Sequence, residues 1–397
     1  MNRVIRVGAG KGKLLGVLNE WLSSLGLNPI DKGSRNLIHY RHYDDCTLKI
    51  CLLRWEDIKT YANEFDMIIF GSDQWLETSK KNMIALRYFE QKDCRLSLLV
   101  PKENADMPLS YFKQHKIATG YPNLARDYIG VDENLLIKMT GSVEASVGMG
   151  WAESIFDIIE SGTTAREMGL VEYKTFIRFG AVLATTKPEL IPVFRDLKLI
   201  PQLSTKHMIV AFDGVDGSGK STLAKHFVQS GLKNNAPTVL VSPYSGYIGV
   251  MSKSLLDSGY PYDWAVTIGR NHWKAPDAVN GIYDRSIVTF ITELLKADVD
   301  DKKIVEAIEN WSPLPDILFY CDAPVNSLVK RTKTRGINDE FDTENSLKLY
   351  HELYAKAFKF VEDTTGIRVV YLDTDRDVNE VITDVNDAIN VAMEGLR

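Results

Sequence analysis

Eight consecutive residues, Gly214-Val215-Asp216-Gly217-Ser218-Gly219-Lys220-Ser221, followed by Thr222, fit the pattern of a loop that cradles phosphate at every required position. The glycines let the backbone turn so that successive N–H groups converge on one anion. Lys220 reaches the β and γ oxygens of a triphosphate such as ATP, and the Ser221 hydroxyl is placed to hold Mg²⁺. Such a loop needs a strand before it and a helix after it. The short apolar run from Ile209 to Asp213 supplies the first, and Leu223, Ala224, His226 and Phe227 recur at helical spacing. Further on, Asp284 and Arg285 end a run that reads as another strand. A basic cluster, Lys330-Arg331-Thr332-Lys333-Thr334-Arg335, begins on a helix that starts near Pro324. By itself that cluster reads as a solvated helix face. Beside a phosphate loop, Arg331 and Arg335 read as cations that close over a transferring phosphoryl group, because positioned positive charge is the main catalyst of that reaction.

A second constellation lies in the first half. Phe156-Asp157-Ile158-Ile159 reads as a buried strand that delivers Glu160-Ser161-Gly162-Thr163-Thr164, a turn of small hydroxyl residues around one glycine. Its backbone N–H groups and two or three O–H donors suit a phosphate monoester, and a helix from Ala165 to Met168 adds its positive end. An ordinary turn between strand and helix is the bland alternative. Near the N-terminus, Gly8-Ala9-Gly10-Lys11-Gly12-Lys13 follows a short strand but misses the spacing of a dinucleotide loop, so a plain turn explains it as well.

These residues need a scaffold of strands feeding helices. Strands are expected at Val4 to Val7, Leu48 to Leu53, Asp66 to Phe70, Arg95 to Val100, Lys116 to Thr119, Thr238 to Val241, Ile282 to Ser286, Asp316 to Asp322 and Arg368 to Leu372. Helical segments include Leu14 to Leu25 and a stretch running through Gly150 to Ile155. This alternation predicts an α/β fold with a largely parallel sheet, whose ligand sites lie at the carboxyl ends of the strands. At 397 residues the chain exceeds one usual core, so two domains are expected, with the boundary at the short polar stretch Ile200 to Lys206. That divides it into residues 1–203 and 208–397. A net charge of −6 without a basic block excludes a dedicated binder of duplex nucleic acid. No apolar run reaches the ~18 residues of a membrane span, and the first residues lack a signal sequence, so a cytoplasmic protein is expected. The four cysteines have no metal-ligand or disulfide spacing and read as reduced structural thiols.

The first half resembles the ATP phosphoribosyltransferase family, the first enzyme of histidine biosynthesis. The likeness is carried by Lys11-Gly12-Lys13-Leu14, Arg54-Trp55-Glu56-Asp57-Ile58, Phe70-Gly71-Ser72-Asp73, Ala118-Thr119-Gly120-Tyr121-Pro122-Asn123-Leu124, Gly141-Ser142-Val143-Glu144 and Asp157 to Thr164. The length of this half suggests the short form of the enzyme. The resemblance implies two lobes of periplasmic-binding-protein type, the second spanning about 95–175, with phosphoribosyl pyrophosphate (PRPP) in the cleft. Glu160, Ser161, Gly162, Thr163 and Thr164 would grip its 5-phosphate, and Asp157 would face its ribose hydroxyls. Lys11, Arg54 and Asp73 would line the side that receives the purine nucleotide or pyrophosphate. Three positions depart from the family: Gly10 replaces Pro, Lys13 replaces Arg, and Gly120 replaces an acid.

The second half, about 208–390, resembles thymidylate kinases through the glycine-rich loop, Arg270, Asp284-Arg285-Ser286, Pro315-Asp316, and Arg331 with Arg335. By that likeness Asp216 would contact a sugar 3′-hydroxyl, Arg270 and Arg285 the acceptor, and Asp284 the Mg²⁺ or its waters. Tyr244, Tyr247, Trp264 or Trp273 could stack on a base. Ser242-Pro243-Tyr244 and Ser286 depart from that family, which leaves a nucleoside or a modified nucleotide open as acceptor. Two readings of the whole follow. One is a bifunctional enzyme that transfers phosphoribosyl from PRPP and phosphorylates a nucleoside monophosphate, acting as a homo-oligomer. The other is a first half that senses nucleotides and regulates a deoxynucleoside or modified-nucleotide kinase.

Overall fold

The computed structural model describes residues 3–78, 83–200, 207–230, 237–242, 255–256, 258–271, 279–333 and 343–395. The expected boundary from residue 201 onward, Tyr244, Tyr247, Trp273 and Arg335 lie outside them. Among the described residues, fourteen strands form one mixed sheet. They are β1 (Arg3–Gly10), β2 (Ile38–Tyr43), β3 (Cys46–Leu53), β4 (Met67–Gly71), β5 (Ile84–Pro101), β6 (Ile117–Thr119), β7 (Leu136–Lys138), β8 (Ser154–Ile159), β9 (Leu170–Thr185), β10 (Ile209–Asp213), β11 (Thr238–Val241), β12 (Asn280–Asp284), β13 (Ile317–Asp322) and β14 (Arg368–Asp373). The main path runs β14-β13-β10-β12-β11-β5-β9-β4-β1-β3-β2, with β6, β7 and β8 branching from β5.

The sheet is largely parallel where strands feed helices. β1 lies parallel to β3 and β4, and β10 to β12 and β13, because each crossover carries a helix back over the sheet. Helix Leu14–Ser24 buries Leu15, Val17, Leu18, Trp21 and Leu22 on one face, the 3–4 residue repeat that its apolar positions dictate. Trp21 also donates its indole N–H to the Leu199 carbonyl at 3.0 Å, tying this helix to the end of the first half.

Two long antiparallel strands break the parallel pattern. Local signals predict a short strand at Arg95 to Val100, but β5 is 18 residues long and β9 is 16. They pair along nearly their whole length, with register shifts between Ala85 and Arg87, Glu90 and Arg95, Leu96 and Ser97, and Leu98 and Leu99. One end of this ribbon joins β4, and the other end carries β8, so it runs through both lobes of the first half. β11 adds to its near edge through Thr238 opposite Ala85 and Val239 opposite Ile84, making one sheet of the two halves.

The helix expected through Gly150 to Ile155 is not formed. Gly150 adopts a left-handed φ of 68° just beyond the single turn Ala145–Gly148, and Ile155 is a fully buried member of β8, paired with Leu99. β-Branched Ile155 fits a pleated strand better than a helix. A second departure is β2, whose polar sequence hides its pairing with β3 across Asp44 and Asp45.

Gly180 is where the ribbon tolerates no side chain: an added Cβ would stand 2.3 Å from the Phe89 carbonyl oxygen and 2.5 Å from the Tyr88 ring. Gly180→Ala is expected to destabilise the chain by on the order of 2 kcal/mol through overpacking. Calorimetry reads this as a lowered Tm, and an unchanged melt would contradict this packing.

Candidate active sites

In the first half, a cleft of about 720 Å³ opens where the ribbon passes between the lobes; Lys11, Lys13, Arg54, Asp73, Cys94 and Glu160 are among its walls. Each arrives from a strand end. Lys11 follows β1, Arg54 follows β3, Asp73 stands two residues beyond β4, and Glu160 follows β8. β1, β3 and β4 are parallel and aim Lys11, Arg54 and Asp73 the same way, while β8, antiparallel to β5, brings Glu160 from the facing lobe. Gln91 and Cys94 enter at the register shift between Glu90 and Arg95, and Gly180 lines the cleft from β9. Lys11, Arg54, Asp73 and Glu160 are thus brought together, whereas Ser161 to Thr164 do not line the cleft and sit at its edge.

The hydroxyl turn is ordered by its own atoms. Gly162 takes a left-handed φ of 67°, the Thr163 hydroxyl donates to Ser161 Oγ at 3.1 Å, and Arg166 Nη2 donates to Thr163 Oγ1 at 3.3 Å. Arg95 anchors the turn from below. Its guanidinium forks onto Glu172 at 2.7 and 2.6 Å and donates to the Glu160 carbonyl at 2.8 Å. The same pairing holds the Glu172 carboxyl down at about 2. Lys13 reaches Glu160 across the cleft at 2.5 Å, joining the two lobes.

The acids here are held at a cost. Burial pushes the Asp73 carboxyl up, against the hydrogen bonds that Tyr121 Oη and Gln74 Nε2 donate to it at 2.9 and 2.8 Å. Burial also raises Asp157 to about 6, helped by the nearby charges of Glu144 and Asp73, although the Ile158 amide donates to it at 2.7 Å. Cys94 is pushed up to about 12 by burial and by Asp73 and Glu160, which leaves it an inert thiol. Of these two acids Asp73 lines the cleft, which makes its raised carboxyl a candidate functional group.

In the second half, β10 ends in the glycine-rich loop and helix Lys220–Ser230 follows. Gly214 has a φ of 146°, and a Cβ there would stand 2.2 Å from the Cys321 carbonyl oxygen, so only glycine fits. Lys220 is buried over the loop and donates to the Val215 carbonyl at 3.3 Å and to Asp216 Oδ1 at 3.1 Å. Arg285, itself at a left-handed φ of 74°, donates to the same Asp216 oxygen and to Tyr354 Oη at 3.0 Å. The Ser221 hydroxyl donates to Asp284 Oδ1 at 3.0 Å. Beneath the loop, fully buried Asp213 accepts from the Ser286 amide and hydroxyl at 2.7 and 2.9 Å and from the Thr289 hydroxyl at 2.7 Å. These bonds fix the end of β12 relative to the loop.

Among the described residues no group of three His, Cys, Asp or Glu side chains gathers as a metal site. The Ser221–Asp284 pair still offers two hard oxygens, which suits Mg²⁺ that keeps water and phosphate oxygens as its other ligands. Gly217, Ser218, Gly219 and Thr222 lie in the loop and at the helix start. Arg331 donates to the Gly217 carbonyl at 3.2 Å, the Thr374 carbonyl at 2.9 Å and Asp375 at 3.1 Å, so it braces the loop backbone. Arg270 is exposed at the end of helix Pro261–Asn271 and donates to Asn310 at 2.9 Å.

The family model described as ATP phosphoribosyltransferase (HisG) matches residues 54–200. The ATP phosphoribosyltransferase of Clostridium botulinum is 32% identical over 192 residues, covering 46% of this chain and 88% of that protein. The chain belongs to the ATP phosphoribosyltransferase family. That of Thermococcus kodakarensis is 35% identical over 181 residues, covering 45% of this chain and 85% of its own length. A solved chain titled "ATP phosphoribosyl transferase (HisG:HisZ) complex from Thermotoga maritima" aligns with a TM-score of 0.37 at 22% identity, over 49% of this chain and 92% of that one. Residues 54–200, matched by the family model, contain Arg54, Asp73, Asp157 and the turn from Glu160 to Thr164. Sequence reasoning passed over Tyr121, Gln74 and Arg95 as site residues. Tyr121 stood within a segment that carried the family likeness, and only tertiary contact reveals the other two.

Because the fold favours protonated Asp157, stability is fully present below the ordinary aspartate range and is lost as pH rises through about 6. Asp157→Asn keeps an oxygen for the Ile158 amide and removes that loss. Denaturant titration is expected to show equal stability near about pH 4 and a variant more stable by on the order of 2 kcal/mol at about pH 7.5. Parallel curves at both values would contradict the burial of a charge there.

Proposed function

We propose that the chain is a bifunctional nucleotide enzyme: the first half transfers phosphoribosyl from PRPP to a purine nucleotide such as ATP, and the second phosphorylates a nucleoside monophosphate with ATP. The observation that carries the first part is the convergence of Lys11, Arg54, Asp73 and Glu160 on one cleft, in a chain of the phosphoribosyltransferase family. In the transfer, a purine nitrogen forms a bond to the ribose C1 as the C1–O bond to pyrophosphate breaks. Positive charge gathers on the ring and negative charge on the leaving group. Lys11 and Arg54 would take up the charge on pyrophosphate, and Asp157 would bind the ribose hydroxyls. The hydroxyls and amides of Ser161 to Thr164 would hold the 5-phosphate. Gly120 lies against Asp157, with its Cβ position 4.0 Å from Oδ1. The glycine spares Asp157 a second carboxylate at that point and widens the acceptor side.

For the second half, the supporting observation is Lys220 buried over a glycine-rich loop, with Ser221 bonded to Asp284. Lys220 would exchange Asp216 for the β and γ oxygens of ATP. An acceptor phosphate oxygen would then attack the γ phosphorus as its bond to the β-bridging oxygen breaks. Arg285 would hold the acceptor, with Asp216 released to a sugar hydroxyl. Mg²⁺ held through Ser221 and Asp284 would neutralise the phosphates. Domain limits of 1–203 and 208–397 and a cytoplasmic, homo-oligomeric enzyme complete the proposal. Among the described residues no helix is long and apolar enough to cross a membrane.

Two substitutions separate the halves. Thr163→Asp brings a carboxylate within ~4 Å of the bound 5-phosphate, which costs about 4 kcal/mol at an effective dielectric near ~20. Calorimetric titration with PRPP and Mg²⁺ is expected to lose binding, while ATP-dependent phosphorylation of a monophosphate persists. Equal PRPP affinity would remove the turn from the site. Lys220→Ala is expected to abolish phosphoryl transfer and leave PRPP affinity unchanged, and a variant with near wild-type turnover would sink the phosphate-loop assignment.

A further inference from the structure

A cavity of about 520 Å³ lies between the two halves, within the range of about 300–1,000 Å³ typical of small-ligand sites. One wall is the second lobe of the transferase half, with Lys113 and Lys174. The other is the glycine-rich loop and its neighbours, with Gly217, Gly219, Lys330 and Arg331. Its acids are already matched: Asp127 with Lys225 at 3.3 Å, Asp375 with Arg331 at 3.1 Å, and Asp377 with Lys174 at 2.7 Å. Of the other cations, Arg126 pairs with Glu133, and Arg376 with Asp384. Lys113 and Lys330 face the cavity from opposite walls, and neither has a carboxylate in salt-bridge range among the described residues.

We propose that this cavity takes part of a nucleoside triphosphate seated on the glycine-rich loop, and that Lys113 of the transferase half is one of its phosphate ligands. This rests on reading the loop as phosphate-binding, and it adds that the donor nucleotide touches both halves. Lys113 is half-buried, and its ammonium is weakened first by burial and then by Lys330, Arg331 and Lys174, so an arriving anion relieves a strain already present. Lys330 and Arg331 descend from the helix that braces Gly217, so the same charges that hold the loop also face the cavity. A nucleotide bound in this way bridges the kinase loop to the lobe that carries β8 and the hydroxyl turn. Binding at one site therefore restrains the lobe that closes the other.

The test is calorimetric titration of the intact chain with ATP and Mg²⁺, in wild type, Lys113→Met, Lys330→Met and Lys220→Ala, with a PRPP titration beside each. Loss of one charge-assisted contact is expected to weaken ATP about five- to tenfold in each of the first two variants, and Lys220→Ala to weaken it at least as much. PRPP affinity should be unchanged in all three, which a misfolded lobe would not allow. Lys113→Arg, which keeps the charge, should restore most of the ATP affinity. If Lys113→Met and Lys330→Met bind ATP as wild type does while Lys220→Ala does not, the shared site is overturned and the phosphate loop stands. If Lys220→Ala has no effect, the loop reading fails and this inference with it. Should Lys113→Met prove unstable, Lys113→Gln, which keeps a long polar side chain without the charge, takes its place beside Lys113→Arg.

Discussion

The ribbon of β5 and β9 is the interaction on which the rest of the molecule hangs. β4, β8 and β11 all pair with one of its two strands. The first lobe, the second lobe and the whole C-terminal half are therefore joined through the same backbone ladder. A sheet edge left open invites pairing with other chains, and β11 covers the edge that β5 would present near Ile84. The interruption at Glu90 to Arg95 gives the ribbon its use. A register shift releases Gln91 and Cys94 from regular alternation and turns them into the cleft, while Arg95 resumes pairing and anchors both Glu172 and the Glu160 carbonyl.

Both candidate sites obey one electrostatic rule. Parallel strands deliver acids and cations at their carboxyl ends, where neighbouring helices bury them. Asp213 shows the structural version: wholly buried, it is satisfied by Ser286 and Thr289, and it fixes β12 beside the loop. Burial pushes up Asp213 as well as Asp73 and Asp157. Asp213 and Asp157 differ in hydrogen-bond supply: five donors, the Gly214 and Thr289 amides included, reach Asp213, whereas the Ile158 amide reaches Asp157.

Local chemistry made the glycine-rich loop readable from sequence, because its glycines, Lys220 and Ser221 act within eight residues of one another and need no tertiary partner to be recognised. The strands Val4 to Val7, Leu48 to Leu53 and Ile209 to Asp213 were readable for a similar reason: short apolar runs bounded by polar turns. The long ribbon was not. Its bulges break the two-residue alternation, and the polar run Glu90, Gln91, Lys92 and Asp93 belongs to β5 ahead of the strand expected from Arg95. Residues such as Arg95, Tyr121 and Lys113 acquire meaning only from segments far away in sequence, and no periodicity encodes that. The cleft residues Lys11, Arg54 and Asp73 carry no local signature either. A family likeness singled them out, and the shared cleft then brought them together.

In the proposed function, one chain performs two transfers at two phosphate sites on a common sheet. The most direct test is to incubate the wild-type protein with Mg²⁺, ATP and PRPP, then with ATP and a panel of nucleosides and monophosphates, and to identify the products by mass. Pyrophosphate release with a phosphoribosyl-nucleotide adduct is expected in the first case. In the second, ADP together with a nucleoside diphosphate is expected. Release of neither pyrophosphate nor ADP, from protein that binds both ligands, would contradict the proposed function and leave a nucleotide sensor in its place.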